Sequence, residues 1–425
     1  MRHIKDMVEI KGSYLEEHFL KYCRYNTRSD GNSQTIPTTP GQVKLAKRVV
    51  KDLQQLGLQA WYNEKNGFAA AYLPANNTKE VTALGFFAHL DTADYPAENV
   101  SPQVYPNYDG EDIVLNKRED IVLSVAEFPE LKKLVGQRLI TTDGTTLLGA
   151  DDKAGVAALV SALKTLVDQP DILHGPIYVT FGPDEEIGQG AKHFDESQFP
   201  IEFGYTLDNG QPGDLEYETF NAASAQVDIK GTPVHPGDAY HLLVNATTLA
   251  NEFVASLPDD EVPEKSQGHQ GFIMVTNQES TPDHARLNLI IRDFDKLRFE
   301  AKKQLLREIT TKINARFEEK RVKLTLKHQY SNIGDKIKKN PYIVELALSA
   351  YKKLGLTPNV TPFRGGTDGN FLTEKGIPTP NLFNSGNNFH GKYEYVTVEG
   401  MQLVVQTVIE ICRQHFKQSK PVKQE

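Results

Sequence analysis

The chain has 425 residues, of which 39% are hydrophobic and 24% are charged, and its formal net charge is -9 at pH 7. This length and composition predict a soluble globular protein of two or three domains. The negative charge argues against a nucleic-acid-binding protein, which needs clustered Lys and Arg for phosphate contacts. Because Cys23 and Cys412 are the only cysteines, a disulfide framework and a cysteine-based zinc site are excluded, and any metal must be bound by His and carboxylates.

The beginning of the sequence, MRHIKDMVEIKGSYLEEHF, lacks the apolar core of a signal peptide. The longest apolar runs are far shorter than the ~20 residues that a membrane-spanning helix needs. We therefore expect a cytoplasmic protein that does not associate with a membrane.

Strand-like and helix-like runs alternate up to about residue 217. Apolar runs predict strands at residues 81–88, 177–181 and 203–207. Between the first two strands, apolar residues at i, i+3, i+4 and i+7 over residues 156–167 predict an amphipathic helix. This alternation predicts an α/β sheet that helices cover on both faces.

The pattern changes after Glu218, where the predicted elements follow in the order β-α-β-β-α-β. The strands are predicted at 224–230, 271–276, 285–293 and 321–328, the helices at 245–257 and 295–319, and further helices at 342–353 and 398–416. The β-α-β-β-α-β order is that of a ferredoxin-like unit, which can bury its own core. We therefore predict an inserted domain over residues 218–333 within a discontinuous α/β domain formed by residues 1–217 and 334–425.

Residues that could bind a metal follow all three strands of the first half. His89 and Asp91 follow the first strand, Glu185 and Glu186 the second, and Asp208 the third. In open α/β sheets, ligands bind beyond the carboxyl ends of the strands. The sequence thus predicts a shared site at one sheet edge, with a polar residue that simply ends a strand as the alternative for each motif alone.

The chemistry of each motif allows two interpretations. Asp91 could accept the second ring N–H of His89 and fix its tautomer, but a solvated loop histidine is the alternative. Asp151 at the start of the predicted helix could bridge two metals or cap the helix. Glu185 and Glu186 point apart, so that one could bind metal while the other acts as a general base, unless both lie in a solvated acidic loop.

The chain resembles the two-zinc exopeptidase and deacylase family that includes carboxypeptidase G, succinyl-diaminopimelate desuccinylase and dipeptidases, and within it most closely the tripeptide aminopeptidases. The stretches that carry the resemblance lie in order along nearly the whole chain: ITTDGTTLLGADDKAG at 140–155, PDEEIGQGAKHFD at 183–195, FNAAS at 220–224, VHPG at 234–237, IRDFD at 291–295, RGGTDG at 364–369 and FHGK at 389–392. The resemblance implies a discontinuous zinc-binding α/β catalytic domain with an inserted ferredoxin-like α+β lid.

The resemblance also implies two Zn²⁺ per chain and a role for each residue of the site. One ion would be held by His89, Asp151 and Asp208, and the other by Asp151, Glu186 and His390, which lies in the polar loop at 384–392. Asp151 would bridge the ions, because the bridging carboxylate of the family is the one two residues before Lys153. Asp91 would support His89, and Glu185 would be the general base.

Further candidates concern the substrate. By resemblance, His235 would donate to the oxyanion, with a simple turn histidine as the alternative. Arg292 and Arg364 are candidates for the substrate carboxylate, which the guanidinium fork suits, although a structural salt bridge is the alternative for Arg292. Asn245 is a further candidate contact in the lid.

These inferences predict a zinc-dependent aminopeptidase that releases the N-terminal residue of tripeptides by hydrolysis with a metal-activated water. A dipeptidase or an N-acyl amino-acid deacylase of the same family is the first alternative. A family member that only binds peptides is the second, and the intact metal set with Glu185 argues against it. We expect short peptides as partners, neither nucleic acid nor membranes, and a homodimer as one possible assembly.

Overall fold

The computed structural model describes residues 12–208 and 210–419, so part of the segment used to exclude a signal peptide, residues 1–11, lies outside the described residues. The helices are α1 Gly12–Cys23, α2 Pro40–Gln55, α3 Ala150–Asp168, α4 Ala246–Ala255, α5 Lys296–Asn314, α6 Gly334–Ile337, α7 Tyr342–Leu354, α8 Asp368–Glu374 and α9 Val398–Gln418. The strands are β1 Gln59–Tyr62, β2 Ala69–Leu73, β3 Ala83–His89, β4 Gln103–Tyr105, β5 Ile113–Asn116, β6 Ile121–Leu123, β7 Leu139–Thr141, β8 Ile177–Gly182, β9 Ile201–Leu207, β10 Asp214–Glu216, β11 Asn221–Lys230, β12 Phe272–Ser280, β13 His284–Asp293, β14 Val322–Tyr330, β15 Asn359–Val360, β16 Asn381–Leu382, β17 Gly386–Asn387 and β18 Tyr395–Thr397. Among these helices, none is long and apolar enough to cross a membrane.

The chain folds into two compact units. The large unit comprises Met1–Tyr217, Asp335–Thr361 and Thr367–Glu425, and the small unit comprises Glu218–Gly334 and Pro362–Gly366. The sequence predicts that the segment Pro362–Gly366 belongs with residues 334–425. It joins the small unit because Phe363 N–H donates to the carbonyl of Glu218 at 2.8 Å, and Phe220 N–H donates to Gly365 at 3.3 Å.

An eight-stranded mixed sheet organises the large unit, in the order β1-β2-β8-β3-β9-β16-β10-β15. β3 lies between β8 and β9 and runs parallel to both, so the carboxyl ends of these three strands meet at one edge. All seven residues of β3 are buried. Its alternate side chains pack into two different clusters, with Phe86 facing the core formed with α3, and Phe87 facing a second core. The sheet is therefore covered on both faces, as the apolar strands predicted.

The small unit has the predicted β-α-β-β-α-β order. Its four-stranded antiparallel sheet runs β12-β13-β11-β14, and residues of α4 and α5 pack against it in one hydrophobic core. Both helices begin at a residue whose side chain accepts a backbone N–H, Asn245 for α4 and Asp295 for α5. Such caps satisfy N–H groups that have no partner inside the helix.

A buried carboxylate joins the first two helices of the large unit. The Asp52 side chain on α2 is 1% exposed and accepts hydrogen bonds from Lys21 at 3.1 Å, Tyr22 at 3.0 Å and Arg48 at 2.6 Å. Burial alone would raise the pKa of Asp52, but the hydrogen bonds from Arg48 and Lys21 outweigh it and hold the pKa below its ordinary value. The charged carboxylate is therefore a stabilising feature of this unit.

We expect Asp52→Asn to lower the free energy of unfolding by about 1–3 kcal/mol at pH 7, because the buried Tyr22 hydroxyl and two cations lose their charged acceptor. The pKa of Asp52 in the folded protein is below its unfolded value of about 3.9. The contribution of the carboxylate to the free energy of unfolding is therefore complete above about pH 3.9 and is lost as the pH falls through the folded pKa. The difference between wild type and variant should therefore shrink below about pH 4 in denaturant unfolding measured across pH.

The matched control for this prediction is Glu64→Gln. Glu64 also pairs with a lysine, Lys47, at 2.8 Å, but both side chains are more than half exposed. An exposed pair contributes little, so the control should leave the free energy of unfolding nearly unchanged. An Asp52→Asn variant as stable as wild type at pH 7 would contradict the assigned role.

Candidate active site

The ends of three parallel strands bring the predicted residues together. His89 is the last residue of β3, Asp208 directly follows β9, and Glu185 and Glu186 lie in the loop after β8. The Asp208 N–H donates to the side-chain oxygen of Asn381 at 2.9 Å, which fixes the start of its loop. The sheet edge predicted from the sequence is therefore where these side chains lie.

The beginning of α3 delivers Asp151. Gly149 precedes the helix with a φ of 82°, a conformation that favours glycine, and Asp151 and Asp152 have non-helical backbone angles. The peptide bond between the two aspartates is cis. A Cβ on Gly155 would lie 2.6 Å from the carbonyl oxygen of Leu207, so the helix passes the end of β9 closely at this glycine.

Asp151 lies between the two histidines of the predicted set. Its Oδ1 is 3.0 Å from Nε2 of His89, and its Oδ2 is 3.0 Å from Nε2 of His390. The same nitrogen of His390 is 3.1 Å from Oε1 of Glu186, and Nε2 of His89 is 3.8 Å from Oδ1 of Asp208. All five residues proposed as metal ligands thus lie in one contiguous cluster, with Asp151 in its centre.

Asp91 has a different arrangement from the one that the sequence suggested. The ring Nδ1 of His89 is 3.0 Å from the backbone oxygen of Asp91 and 3.4 Å from its Oδ1. The carboxylate instead accepts the backbone N–H groups of Glu185 at 2.9 Å and Glu186 at 3.1 Å. Asp91 therefore contacts His89 and also holds the loop that carries the two glutamates.

Burial and neighbouring charges shift the pKa values of several residues in the cluster. Burial, followed by the charge of Asp208, raises the pKa of Glu185 well above its ordinary value. Burial likewise raises the pKa of Glu186 to about 7. Hydrogen bonds that the His390 ring donates to Asp151 and then to Glu186 raise the pKa of His390 to about 10. Buried carboxylates outnumber the histidines in the cluster, so a cation bound among them would be stabilised.

The donor set suits a metal ion. Ligand atoms of His89, Asp151 and Glu186 lie within 4.8 Å of one another, and so do those of His89, Glu185 and Asp208. Oε1 of Glu186 is buried, and the nitrogen Nε2 of His390 lies 3.1 Å from it. A mixture of imidazole and carboxylate ligands is typical of zinc and of related divalent ions. The described residues therefore fit a cationic metal.

Of the four candidate substrate-binding residues, three lie in the insert and Arg364 in Pro362–Gly366, so all belong to the small unit. The His235 side chain is 79% exposed, and its Nδ1 accepts the N–H of Gly237 at 3.1 Å. The side-chain oxygen of Asn245 caps α4 by accepting the N–H of Thr247 at 2.9 Å. Arg292 donates through Nη1 to the carbonyls of Ala223 and Ile291.

Arg364 is bound on several sides within the small unit. Its Nη1 donates to the carbonyls of Gly268 and Gln270, each at 2.8 Å, and its Nη2 donates to Oγ of Ser266 at 2.8 Å. The guanidinium carbon also lies 5.1 Å from the ring centre of Phe220. These contacts give Arg364 a structural role in holding Pro362–Gly366.

Two further residues of the site were not predicted from the sequence to belong to it. Asp152 accepts N–H groups of His89 and Gly155, each at 3.2 Å, and so ties β3 to α3. Asp184, with a φ of 57°, accepts hydrogen bonds from Thr38 and Gln42 and so fixes the loop that carries the glutamates. Both are adjacent to predicted residues, and that adjacency is the only signal that the sequence contained.

The family model described as "Peptidase family M20/M25/M40" matches residues 143–414 of this chain. A relative from Fusobacterium nucleatum subsp. nucleatum named Peptidase T is 48% identical over 403 residues, which are 95% of this chain and 98% of the relative. Aminopeptidase PepT from Bacillus cereus, a solved structure, matches with a TM-score of 0.77 at 23% identity, over 96% of this chain and 99% of that one. A dinuclear metal-binding peptidase of family M20 from Bacillus subtilis matches with a TM-score of 0.66 at 14% identity, over 95% of this chain and 97% of that one. These matches confirm the predicted fold class.

Proposed function

Because the chain belongs to peptidase family M20/M25/M40, we propose that it is a metal-dependent aminopeptidase that releases the N-terminal residue of tripeptides. The relatives named Peptidase T, at 46–48% identity over nearly the whole chain, support this activity. The observation that carries the proposal is the buried cluster around Asp151, in which two histidines and several carboxylates converge. Such a set has no evident structural purpose, since buried like charges destabilise a fold without a cation between them.

We propose two zinc ions in this cluster. The first would be held by His89, Asp151 and Asp208, and the second by Asp151, Glu186 and His390. The dinuclear M20 peptidase from Bacillus subtilis, which has the same fold, supports two ions rather than one. When bound, such ions supply Lewis acidity, which acidifies a water and polarises the carbonyl of the peptide bond.

Glu185 is the proposed general base. Its carboxylate reaches the same cluster, because one of its oxygens lies within 4.8 Å of ligand atoms of His89 and Asp208. Burial raises the pKa of this carboxyl above its ordinary value, which brings its basicity closer to that needed for proton transfer near neutral pH. Glu185 would accept the proton of the attacking water at Oε and return it to the leaving amine.

The small unit would supply substrate contacts. Arg292 is the stronger candidate for the peptide carboxylate, because both terminal nitrogens of Arg364 already donate to protein acceptors. His235 is exposed and could donate to the developing oxyanion. The oxygen of Asn245 caps a helix, so its amide NH₂ is the group that a substrate would meet. A cytoplasmic location belongs to the same proposal, and a homodimer is one assembly that the chain could form.

A substrate panel tests the proposed activity. We expect rapid cleavage of a tripeptide with an N-terminal leucine into leucine and a dipeptide, and slow cleavage of a dipeptide, an N-acetylated tripeptide and an N-acetyl amino acid. Exhaustive chelation should abolish the activity, and added Zn²⁺ should restore it. Preference for the dipeptide or for an acylated substrate would favour the alternative activities, and activity that survives chelation would exclude the metal mechanism.

A further inference from the structure

Glu394 has no part in the proposed chemistry, yet it is almost completely buried beside the cluster, with 1% of its surface exposed. Its Oε2 accepts the backbone N–H groups of Leu148 at 2.7 Å and Gly149 at 2.8 Å, and its Oε1 accepts the N–H of Asp151 at 3.0 Å. Both oxygens of one carboxylate are thus used to hold the backbone of the segment that carries Asp151.

The turn that leads into α3 needs such an acceptor. Leu148 and Asp151 are buried, and a buried backbone N–H group without an acceptor destabilises the fold. Glu394 supplies these acceptors from a part of the chain that lies 243 residues after Asp151. On the other side of the turn, the buried side chain of Lys153 donates to the carbonyl of Tyr25 at 2.8 Å.

Glu394 lies on the same segment as His390, the second histidine of the cluster. It lies four residues after His390 and directly before β18, whose residue Tyr395 pairs with Thr141 of β7. One carboxylate therefore connects the backbone at Asp151 with the loop at His390. Across this connection, Oδ2 of Asp151 lies 3.0 Å from Nε2 of His390.

We propose that Glu394 is a positioning residue that fixes Asp151 relative to His390 and thereby sets the metal affinity of the site. This inference rests on the metal centre of the proposed function. The competing explanation is a helix cap that stabilises the fold without influencing the metal. The two explanations differ in one measurable quantity, because only a positioning role lowers the affinity of the folded protein for metal.

The test compares Glu394→Gln with wild type. Glutamine retains one acceptor oxygen and turns an NH₂ group toward backbone N–H donors, so at least one of the three hydrogen bonds is lost. We expect the Zn²⁺ affinity, measured by competition with a chromophoric chelator, to fall about 10- to 100-fold, as it does when a residue that supports a metal ligand is removed. Thermal unfolding of the metal-free proteins, recorded in parallel, reports the contribution of the cap to stability.

Glu399→Gln is the matched control, because Glu399 also accepts a backbone N–H, that of Arg138 at 3.0 Å, but holds no ligand-bearing segment. Its Zn²⁺ affinity should equal that of wild type. Glu394→Asp keeps the charge on a shorter side chain and should give an intermediate affinity, and it decides the question if Glu394→Gln does not fold. A folded Glu394 variant with wild-type affinity would overturn the positioning role, even if its unfolding temperature falls. A wild type that binds no Zn²⁺ would instead overturn the proposed metal centre, and this inference with it.

Discussion

Replacing Glu185 by Gln is expected to lower kcat for a tripeptide by about 10²- to 10⁴-fold, the usual contribution of a general base. The substitution keeps the size of the side chain but removes the oxygen that accepts the proton of the water. The backbone of Glu185 is held by the Asp91 carboxylate at 2.9 Å, so the loop should keep its position. The metal content, measured by atomic emission, should stay at the wild-type value.

Glu186→Gln is the matched comparison. Glu186 is adjacent to Glu185 in the same loop, but its proposed role is to bind metal. Oε1 of Glu186 lies 3.1 Å from Nε2 of His390, so this variant should lose metal affinity. The two variants are therefore expected to differ: Glu185→Gln should lower kcat, and Glu186→Gln should lower the affinity for metal. Near-normal kcat in Glu185→Gln would show that another group takes the proton.

The second large effect is expected for Asp151→Ala, which removes the carboxylate that contacts both His89 and His390. We expect a folded protein that binds metal at neither position and has no measurable peptidase activity. Loss of a residue that only supports a metal ligand lowers metal affinity about 10- to 100-fold. The loss of Zn²⁺ affinity in Asp151→Ala should be larger, because this variant lacks a direct ligand. Equilibrium dialysis against buffered Zn²⁺ gives the number of ions bound per chain.

Asp152→Asn is the control for this prediction. The Asp152 oxygens accept N–H groups from His89 at 3.2 Å, Gly155 at 3.2 Å and Asn384 at 3.2 Å, so its carboxylate is occupied within the protein. The variant should unfold at a lower temperature and bind Zn²⁺ more weakly, because Asp152 holds the backbone of His89, but at saturating Zn²⁺ it should still bind two ions. If Asp151→Ala bound two ions and Asp152→Asn bound none, the bridging role would belong to Asp152.

The sequence predicted the central strands of the large unit because their residues are buried on both faces and form continuous apolar runs. It did not reveal the antiparallel pair β1 and β2, whose four and five residues are too few to establish a period. It also missed the small sheet β17-β18-β7-β4, which assembles short segments from distant parts of the chain. Pairing of this kind depends on tertiary contacts that no local pattern encodes.

The same distinction applies to the site. Strand ends locate His89, Asp208 and the glutamates, because the position of a residue after a parallel strand determines which sheet edge it occupies. The contacts that hold these residues could not be predicted, since they join segments far apart in sequence. The bonds from Glu394 to the backbone at Asp151 span 243 residues. The contacts that give Arg364 a structural role in the small unit could not be predicted either, because they also join residues that are far apart in the sequence.

The most direct test of the metal centre is anomalous diffraction at the zinc absorption edge from crystals of the Zn²⁺-loaded protein. The proposal predicts two anomalous peaks in the large unit. One peak should lie next to His89 and Asp208, the other next to Glu186 and His390, and Asp151 should contact both. A single peak, or two peaks that leave Asp151 without a metal contact, would contradict the proposed dinuclear site.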